Sequence, residues 1–252
     1  MANLNYIGSK FLYLTSKNRQ SGNINGCMLT FPQALFTQNN TNKKTILKVN
    51  LQNLTLNHSW DNVSNRCNSF LSNGIEKTIP TGSPSVFVIR DQLNVILDGF
   101  YIVSYDINNN RFTFTANTPT NSITPTTSGH LFGLVNNTTY TGTFTSIYPI
   151  NVQYENSIFL NADFAVAANG LDNINSQYMS SSTIIGQIPI TVQPYDNIIY
   201  NSFKNTNESL ELSVMNGGFD CATFSITTDK GYLLDLAYDY TFVLKIEAYS
   251  SN

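Results

Sequence analysis

Apolar and polar residues alternate along most of this chain, and this period of two limits the available folds more than any other feature. The alternation is clear at 47–51, 210–214 and 242–248. The run at 54–56 continues the first one in the opposite parity, which predicts a β-bulge near Asn53. Because successive side chains of a strand point to opposite faces of a sheet, each run predicts a strand with one buried and one solvated face.

Turn-forming residues separate the predicted strands. We expect hairpin turns at the asparagines 108–110, at Asn-Gly-Gly 216–218 and at the segment Asp229 to Gly231, because these residue types tolerate the backbone angles of tight turns. Gly22 and Gly231 are assigned to backbone geometry alone. Many short strands between such turns are typical of an antiparallel sandwich or barrel, so the predicted fold class is all-β.

One segment departs from the alternation. Ser83 fits a helix N-cap and Pro84 fits the first helical position. Apolar residues then recur every three or four positions until Gly99, which fits a glycine stop. This pattern predicts a helix over about 84–98.

The helix belongs to a longer region of mixed structure. A hairpin is predicted at about 100–115 and a short helical turn at 130–134. We therefore interpret 80–146 as a small α/β insertion, and 1–79 with 147–252 as the β-sandwich that carries it.

The charge pattern excludes several classes of function. Only 12% of the 252 residues are charged, the net charge is −3, and the basic residues form no block beyond Lys43 and Lys44. Since non-specific nucleic-acid affinity grows with the cations a surface supplies, direct nucleic-acid binding is not expected. No apolar run approaches the roughly 20 residues that span a bilayer, and the first residues lack the apolar region of a secretory signal.

The residues that could carry chemistry are few and scattered. Cys27, Cys67 and Cys221 fit buried free thiols of a reducing compartment better than disulfides. His58 and His130 lie far apart without a second ligand at metal spacing, although a contact in space, such as His58 with Cys67, stays open. We therefore predict no metal and no cofactor.

The sequence contains no G-x-S-x-G elbow, P-loop, dinucleotide fingerprint or H-E-x-x-H motif, so we predict that the protein is not an enzyme. The carboxylates of Asp229, Asp235 and Asp239 could pair for acid–base chemistry, but aspartates between strands more often bind the backbone of a turn. Trp60, the sole tryptophan, fits a core or rim anchor better than a platform for sugars.

Nine short segments follow one another in an order that carries a family resemblance. They lie at 13–22, 28–31, 60–64, 79–83, 93–97, 188–190, 198–200, 224–231 and 239–246. The last two, a strand with a D-x-G turn and a closing strand, carry most of it. In this succession the chain resembles the single jelly-roll minor capsid or penton proteins of virophages, polinton-like viruses and related large DNA viruses.

The resemblance implies a jelly-roll sandwich that forms or plugs the icosahedral vertex of a double-stranded DNA virus. Its implied partners are further copies of itself, as a homopentamer or a trimer, and the major capsid protein; its place is the virion capsid, assembled inside the host cell. Lys17, Asn18 and Arg19 end the first strand with two of the few cations, so we expect a subunit contact there, with a solvated turn as the alternative. Jelly rolls also serve as host-recognition or carbohydrate-binding modules, and 80–146 could then be the outward surface.

Overall fold

The computed structural model of the chain describes residues 4–31, 45–164, 184–202, 210–214 and 221–251. The strands are β1 (Leu4–Thr15), β2 (Ser21–Gly22), β3 (Gly26–Thr30), β4 (Thr45–Asn57), β5 (Ser69–Ser72), β6 (Ile75–Thr78), β7 (Tyr101–Asp106), β8 (Arg111–Ala116), β9 (Ser122–Pro125), β10 (Tyr140–Thr141), β11 (Phe144–Thr145), β12 (Ser157–Ala162), β13 (Ile184–Pro189), β14 (Asn197–Asn201), β15 (Leu210–Val214), β16 (Cys221–Thr228) and β17 (Thr241–Ser251). The helices are α1 (Val86–Ile96) and α2 (Gly129–Phe132), and a 3-10 turn spans Ser16–Asn18. The all-β class is confirmed.

The chain forms two compact units. The first contains Met1–Ser59 and Glu155–Asn252, and the second contains Trp60–Tyr154. The range 80–146 lies within the second unit, and its assignment as an inserted domain stays a prediction.

The first sheet of the first unit is built around the long strand β4. The strands are antiparallel in the order β1-β17-β4-β14, and β15 pairs with the other part of β4. Val243 pairs with Asn53 and Leu244 with Leu51, so Gln52 is the extra residue of a bulge. This bulge lets both leucine runs of β4 face the core, as the change of parity near Asn53 predicts.

The second sheet of this unit faces the first across an apolar core. Its order is β13-β12-β16-β3-β2, again antiparallel. The rings of Phe224 in β16 and Phe242 in β17 lie 4.8 Å apart, edge to face, and join the two layers. Gly186 in β13 lies directly against the side chain of Leu51 in β4.

Two of the predicted hairpin turns fall in this unit. The one at Asp229 to Gly231 is present, since Gly231 has a φ of 81° and the Thr228 N–H donates to the Tyr232 carbonyl at 2.8 Å across the turn. Its second arm is short: after a single antiparallel bridge between Thr227 and Leu233 the chain continues to β17, which belongs to the other sheet. The hairpin predicted at 216–218 lies outside the described residues.

The second unit has its own core between two small sheets and the helices. Its sheets have the orders β10-β9-β5-β6 and β11-β8-β7, and the core of this unit combines aliphatic residues with five buried aromatic side chains. Phe114 contacts both Phe132, at 6.0 Å between ring centroids, and Phe144, at 4.9 Å. The hairpin predicted at 100–115 is confirmed as β7 and β8, and the helical turn at 130–134 as α2 with Gly133 as its left-handed cap.

Helix α1 begins later than its sequence predicts. Its N-cap is Ser85, whose hydroxyl accepts a hydrogen bond from the Val88 N–H at 3.4 Å. Ser83 is not the cap, because its hydroxyl accepts the Asn62 N–H instead, and Pro84 therefore precedes the helix. Gly99 follows the helix with a φ of 79°. No helix within the described ranges is long and apolar enough to cross a membrane.

Candidate assembly surface

Strand β1 forms an edge of the first sheet. Among the described strands it pairs with β17 only, along almost its whole length. Tyr6, Phe11 and Tyr13 on this strand are 59%, 53% and 81% exposed. An edge strand presents unpaired backbone groups to any further strand, and exposed aromatic rings beside it favour a protein contact.

The exposed rings lie on the outer face of the sheet. Tyr13 pairs with Val243 and Phe11 with Lys245, both on the face that points away from the core, and Tyr6 stacks edge to face on Tyr249 at 5.6 Å. We call Tyr6, Phe11 and Tyr13 with this edge of β1 the β1 surface. Its apolar area is spread along one strand, as in an extended contact.

Side chains of β17 next to the β1 surface are joined to one another by an ion pair and a hydrogen bond. Lys245 Nζ lies 2.6 Å from Glu247, and the Tyr249 hydroxyl donates to the same carboxylate at 3.2 Å. The hydrogen bond between Lys245 and Glu247 lowers the pKa of the Glu247 carboxyl and raises the pKa of the Lys245 amine. Lys48 lies over the Tyr249 ring, 5.4 Å from its centroid.

The end of β1 carries the three residues in which the sequence predicts a subunit contact. Lys17 and Asn18 are exposed in the 3-10 turn. Arg19 is partly buried, and its Nη1 donates to Asp239 Oδ1 and to the Ser16 carbonyl, each at 3.0 Å. The guanidinium is therefore bound within its own chain, and Lys17 and Asn18 are the members of the group left facing outward.

Ser16 lies at the centre of a hydrogen-bonded corner that also contains Arg19, Asp239 and Tyr240. Its hydroxyl donates to Asp239 Oδ1 at 2.7 Å and accepts the Tyr240 N–H at 3.0 Å, and its own N–H donates to the Tyr240 carbonyl at 3.0 Å. Ser16 and Tyr240 are almost completely buried. Beneath them the Tyr240 hydroxyl lies 3.4 Å from Cys27 Sγ, and burial raises the pKa of both groups. The network joins the end of β1 to the start of β17.

Asp239 thus accepts hydrogen bonds from Ser16 and Arg19 and forms part of a structural corner. Asp235 is exposed. The parts of the chain that the structure describes contain no group of three His, Cys, Asp or Glu residues able to hold a metal ion.

The remaining predicted residues have mixed outcomes. Trp60 is 6% exposed and packs as a buried anchor, as predicted. Cys27 and Cys67 are buried thiols outside any disulfide, as predicted, whereas the Cys221 thiol is exposed, so the prediction of burial is wrong for it. Cys221 starts β16 at a position whose side chain points out of the sheet, with the buried Ala222 next to it.

These features define an antiparallel jelly-roll sandwich, an all-β class. No protein-family model and no curated protein matches the chain.

Solved structures do match. The chain is similar to the crystal structure of selenomethionine-labelled mavirus penton protein, with a TM-score of 0.56 and 12% identity over 96% of this chain and 100% of the other. It also aligns with VP17, a capsid protein of bacteriophage P23-77, with a TM-score of 0.23 and 8% identity over 100% of both chains. The similarity to the mavirus protein is one of fold.

Proposed function

We propose that this protein is a structural component of a virus capsid and that copies of it associate through the β1 surface. The observation that carries the proposal is the fold shared, over nearly the whole chain, with a protein named as a penton protein. The exposed aromatic edge supplies a surface of the kind that association needs.

The finer role that we propose is that of a minor capsid or penton protein at an icosahedral vertex. There it would associate as a homopentamer, or as a trimer at another position, and contact the major capsid protein. The role needs no catalysis, no cofactor and no direct contact with nucleic acid. The virion would be that of a double-stranded DNA virus and would assemble inside the host cell.

The size of the β1 surface is compatible with this role. A buried aromatic side chain contributes 150–250 Å² or so, and the three rings of the β1 surface together can bury about 400 Å² per copy. This is about half of the roughly 800 Å² that each partner contributes to a standard interface. Backbone pairing along β1 and the exposed Lys17 and Asn18 can supply further area.

The test is the mass of the purified protein measured by light scattering after size exclusion, at several protein concentrations. We expect an assembly of five or three copies of the 28.1 kDa chain. Tyr13→Glu is expected to shift the protein to the monomer, because a carboxylate would have to be desolvated in the contact. Ile75→Glu, at a position of the second unit that is 62% exposed, is the matched control and should leave the mass unchanged.

Two results would contradict the proposal. A wild-type protein that stays monomeric at every concentration argues against self-association in solution. An assembly that Tyr13→Glu leaves intact argues against the β1 surface. Lys17→Glu then tests whether the exposed corner at the end of β1 takes part in the contact, since Lys17 lies outside the β1 surface.

A further inference from the structure

The outer face of the sheet β11-β8-β7 in the second unit combines hydroxyl groups with one arginine. Arg111 and Thr113 on β8 share this face, because Phe112 between them points into the core. Ser104 on β7 and Thr145 on β11 are the cross-strand neighbours of Thr113, one on each side, and both are exposed. The face is thus open, regular and lined by small polar side chains.

Arg111 has no partner for its charge on this face. Its Nε is buried and makes no hydrogen bond within the described residues, and none of the ion pairs there includes it. Arg19 and Arg90, in contrast, each pair with an aspartate. A partly buried guanidinium without a carboxylate favours an anion supplied from outside, because it presents several donors in a fixed fork.

The nearest acidic candidate is engaged elsewhere. Asp106 is the cross-strand neighbour of Arg111, but its carboxylate accepts the Asn108 N–H at 2.9 Å and the Asn109 side-chain amide at 2.6 Å. Both bonds belong to the turn between β7 and β8. Asp106 therefore stabilises its turn and leaves the Arg111 fork available.

We propose that this face binds an acidic saccharide, a sugar that carries a carboxylate or sulfate group. The anion would lie against the Arg111 guanidinium, and sugar hydroxyls would exchange hydrogen bonds with Ser104, Thr113 and Thr145. The hydroxyls of Thr113 and Thr145 already lie 3.0 Å apart, and each side-chain oxygen has room for a further bond.

The dimensions of the face suit a short chain of sugars. Thr115 follows Arg111 by four positions on β8, which corresponds to about 14 Å along an antiparallel strand. Thr115 pairs with Ile102, which is 62% exposed and offers an apolar contact for the C–H groups of a ring. The anionic end of the ligand thus meets Arg111, and its neutral end meets Thr115 and Ile102.

The test uses three related probes: 3′-sialyllactose, 3′-sulfolactose and neutral lactose, with inorganic sulfate as a fourth. Saturation-transfer NMR on the full chain should show binding of at least one acidic probe with a Kd on the order of 1 mM. Arg111→Ala should weaken that binding by about tenfold or more, and Arg111→Lys should weaken it as well because lysine lacks the fork. Arg90→Ala, which removes a paired arginine of the same unit, is the matched control and should leave it unchanged.

Asp106→Asn adds a second readout with the opposite sign. It removes a negative charge near Arg111, and its amide oxygen can keep the turn hydrogen bond from the Asn108 N–H, so it should strengthen binding of the acidic probe. The proposal is overturned if no acidic probe binds, if lactose binds as well as they do, or if sulfate alone binds as well as 3′-sulfolactose. It is also overturned if Arg111→Ala and Arg111→Lys, with unchanged circular dichroism, bind like the wild type.

Discussion

Replacing Ser16 by alanine tests whether the corner at Asp239 and Tyr240 holds the sandwich together. The substitution removes the donor to Asp239 Oδ1 at 2.7 Å and the acceptor of the Tyr240 N–H at 3.0 Å. Arg19 still binds Asp239, so the carboxylate keeps a partner. The Tyr240 N–H is buried and would lose its acceptor.

The expected loss follows from these two bonds. A buried donor left without an acceptor costs about 1–3 kcal/mol, and a hydrogen bond to a charged group contributes about 1.5–3 kcal/mol. Because Asp239 is partly exposed and water can replace one donor, we expect a total of about 2–3 kcal/mol. For a chain of this size that corresponds to a fall in Tm of about 5–10 °C.

The assay is equilibrium unfolding in urea, followed by tryptophan fluorescence and circular dichroism. Ser9→Ala is the control, since Ser9 lies in the same strand but is exposed, and it should change the free energy of unfolding by less than about 0.5 kcal/mol. Arg19→Ala should cost under about 1 kcal/mol, because both side chains of that ion pair are about one-third exposed. A Ser16→Ala loss as small as that of Ser9→Ala would refute the role of the corner.

Three further predictions follow from the packing. Gly186→Ala should destabilise the protein by about 1–3 kcal/mol in urea, because the new Cβ would collide with Leu51, whereas Gly26→Ala, with nothing within 4 Å, should be nearly neutral. Tyr101→Phe should raise the free energy of unfolding by about 1 kcal/mol, because the Tyr101 hydroxyl is buried without a hydrogen-bond partner in the described part of the chain. Burial raises the pKa of Tyr101 to about 12, so the wild type should also lose stability between about pH 10 and pH 12 relative to that variant. Ellman's reagent should titrate one thiol quickly in the native protein, at Cys221, and all three after denaturation.

The sequence predicts local features of this fold well because each depends on neighbouring residues. A change of parity within one strand is enough to locate the bulge beside Asn53, and turn residues locate the hairpin of β7 and β8. The start of α1 is harder, since Ser83 and Ser85 both fit a cap. Only the three-dimensional contact of Ser83 with the Asn62 N–H decides between them.

The candidate site depends on contacts that no local pattern contains. Arg19 and Asp239 are 220 residues apart in sequence, so their pairing is invisible until β1 lies beside β17. For the same reason the cations at the end of β1 look equivalent in sequence, although Arg19 is bound and Lys17 is exposed. Alternation marks Phe11 and Tyr13 as facing one side of a strand, but the register of the sheet determines that this side is the outer one.

Assembly through the β1 surface would strengthen attachment through the saccharide site, because it repeats that site in several copies. A saccharide site with a Kd on the order of 1 mM gives little occupancy in a single copy, but several copies held in one assembly can bind a surface that presents many sugars 10²–10⁴-fold more strongly, by effective concentration alone. Tyr13→Glu should therefore weaken attachment to such a surface while leaving the binding of a soluble sugar unchanged. Arg111→Ala should weaken both and leave the assembly intact, because Tyr13 and Arg111 belong to different units of the chain.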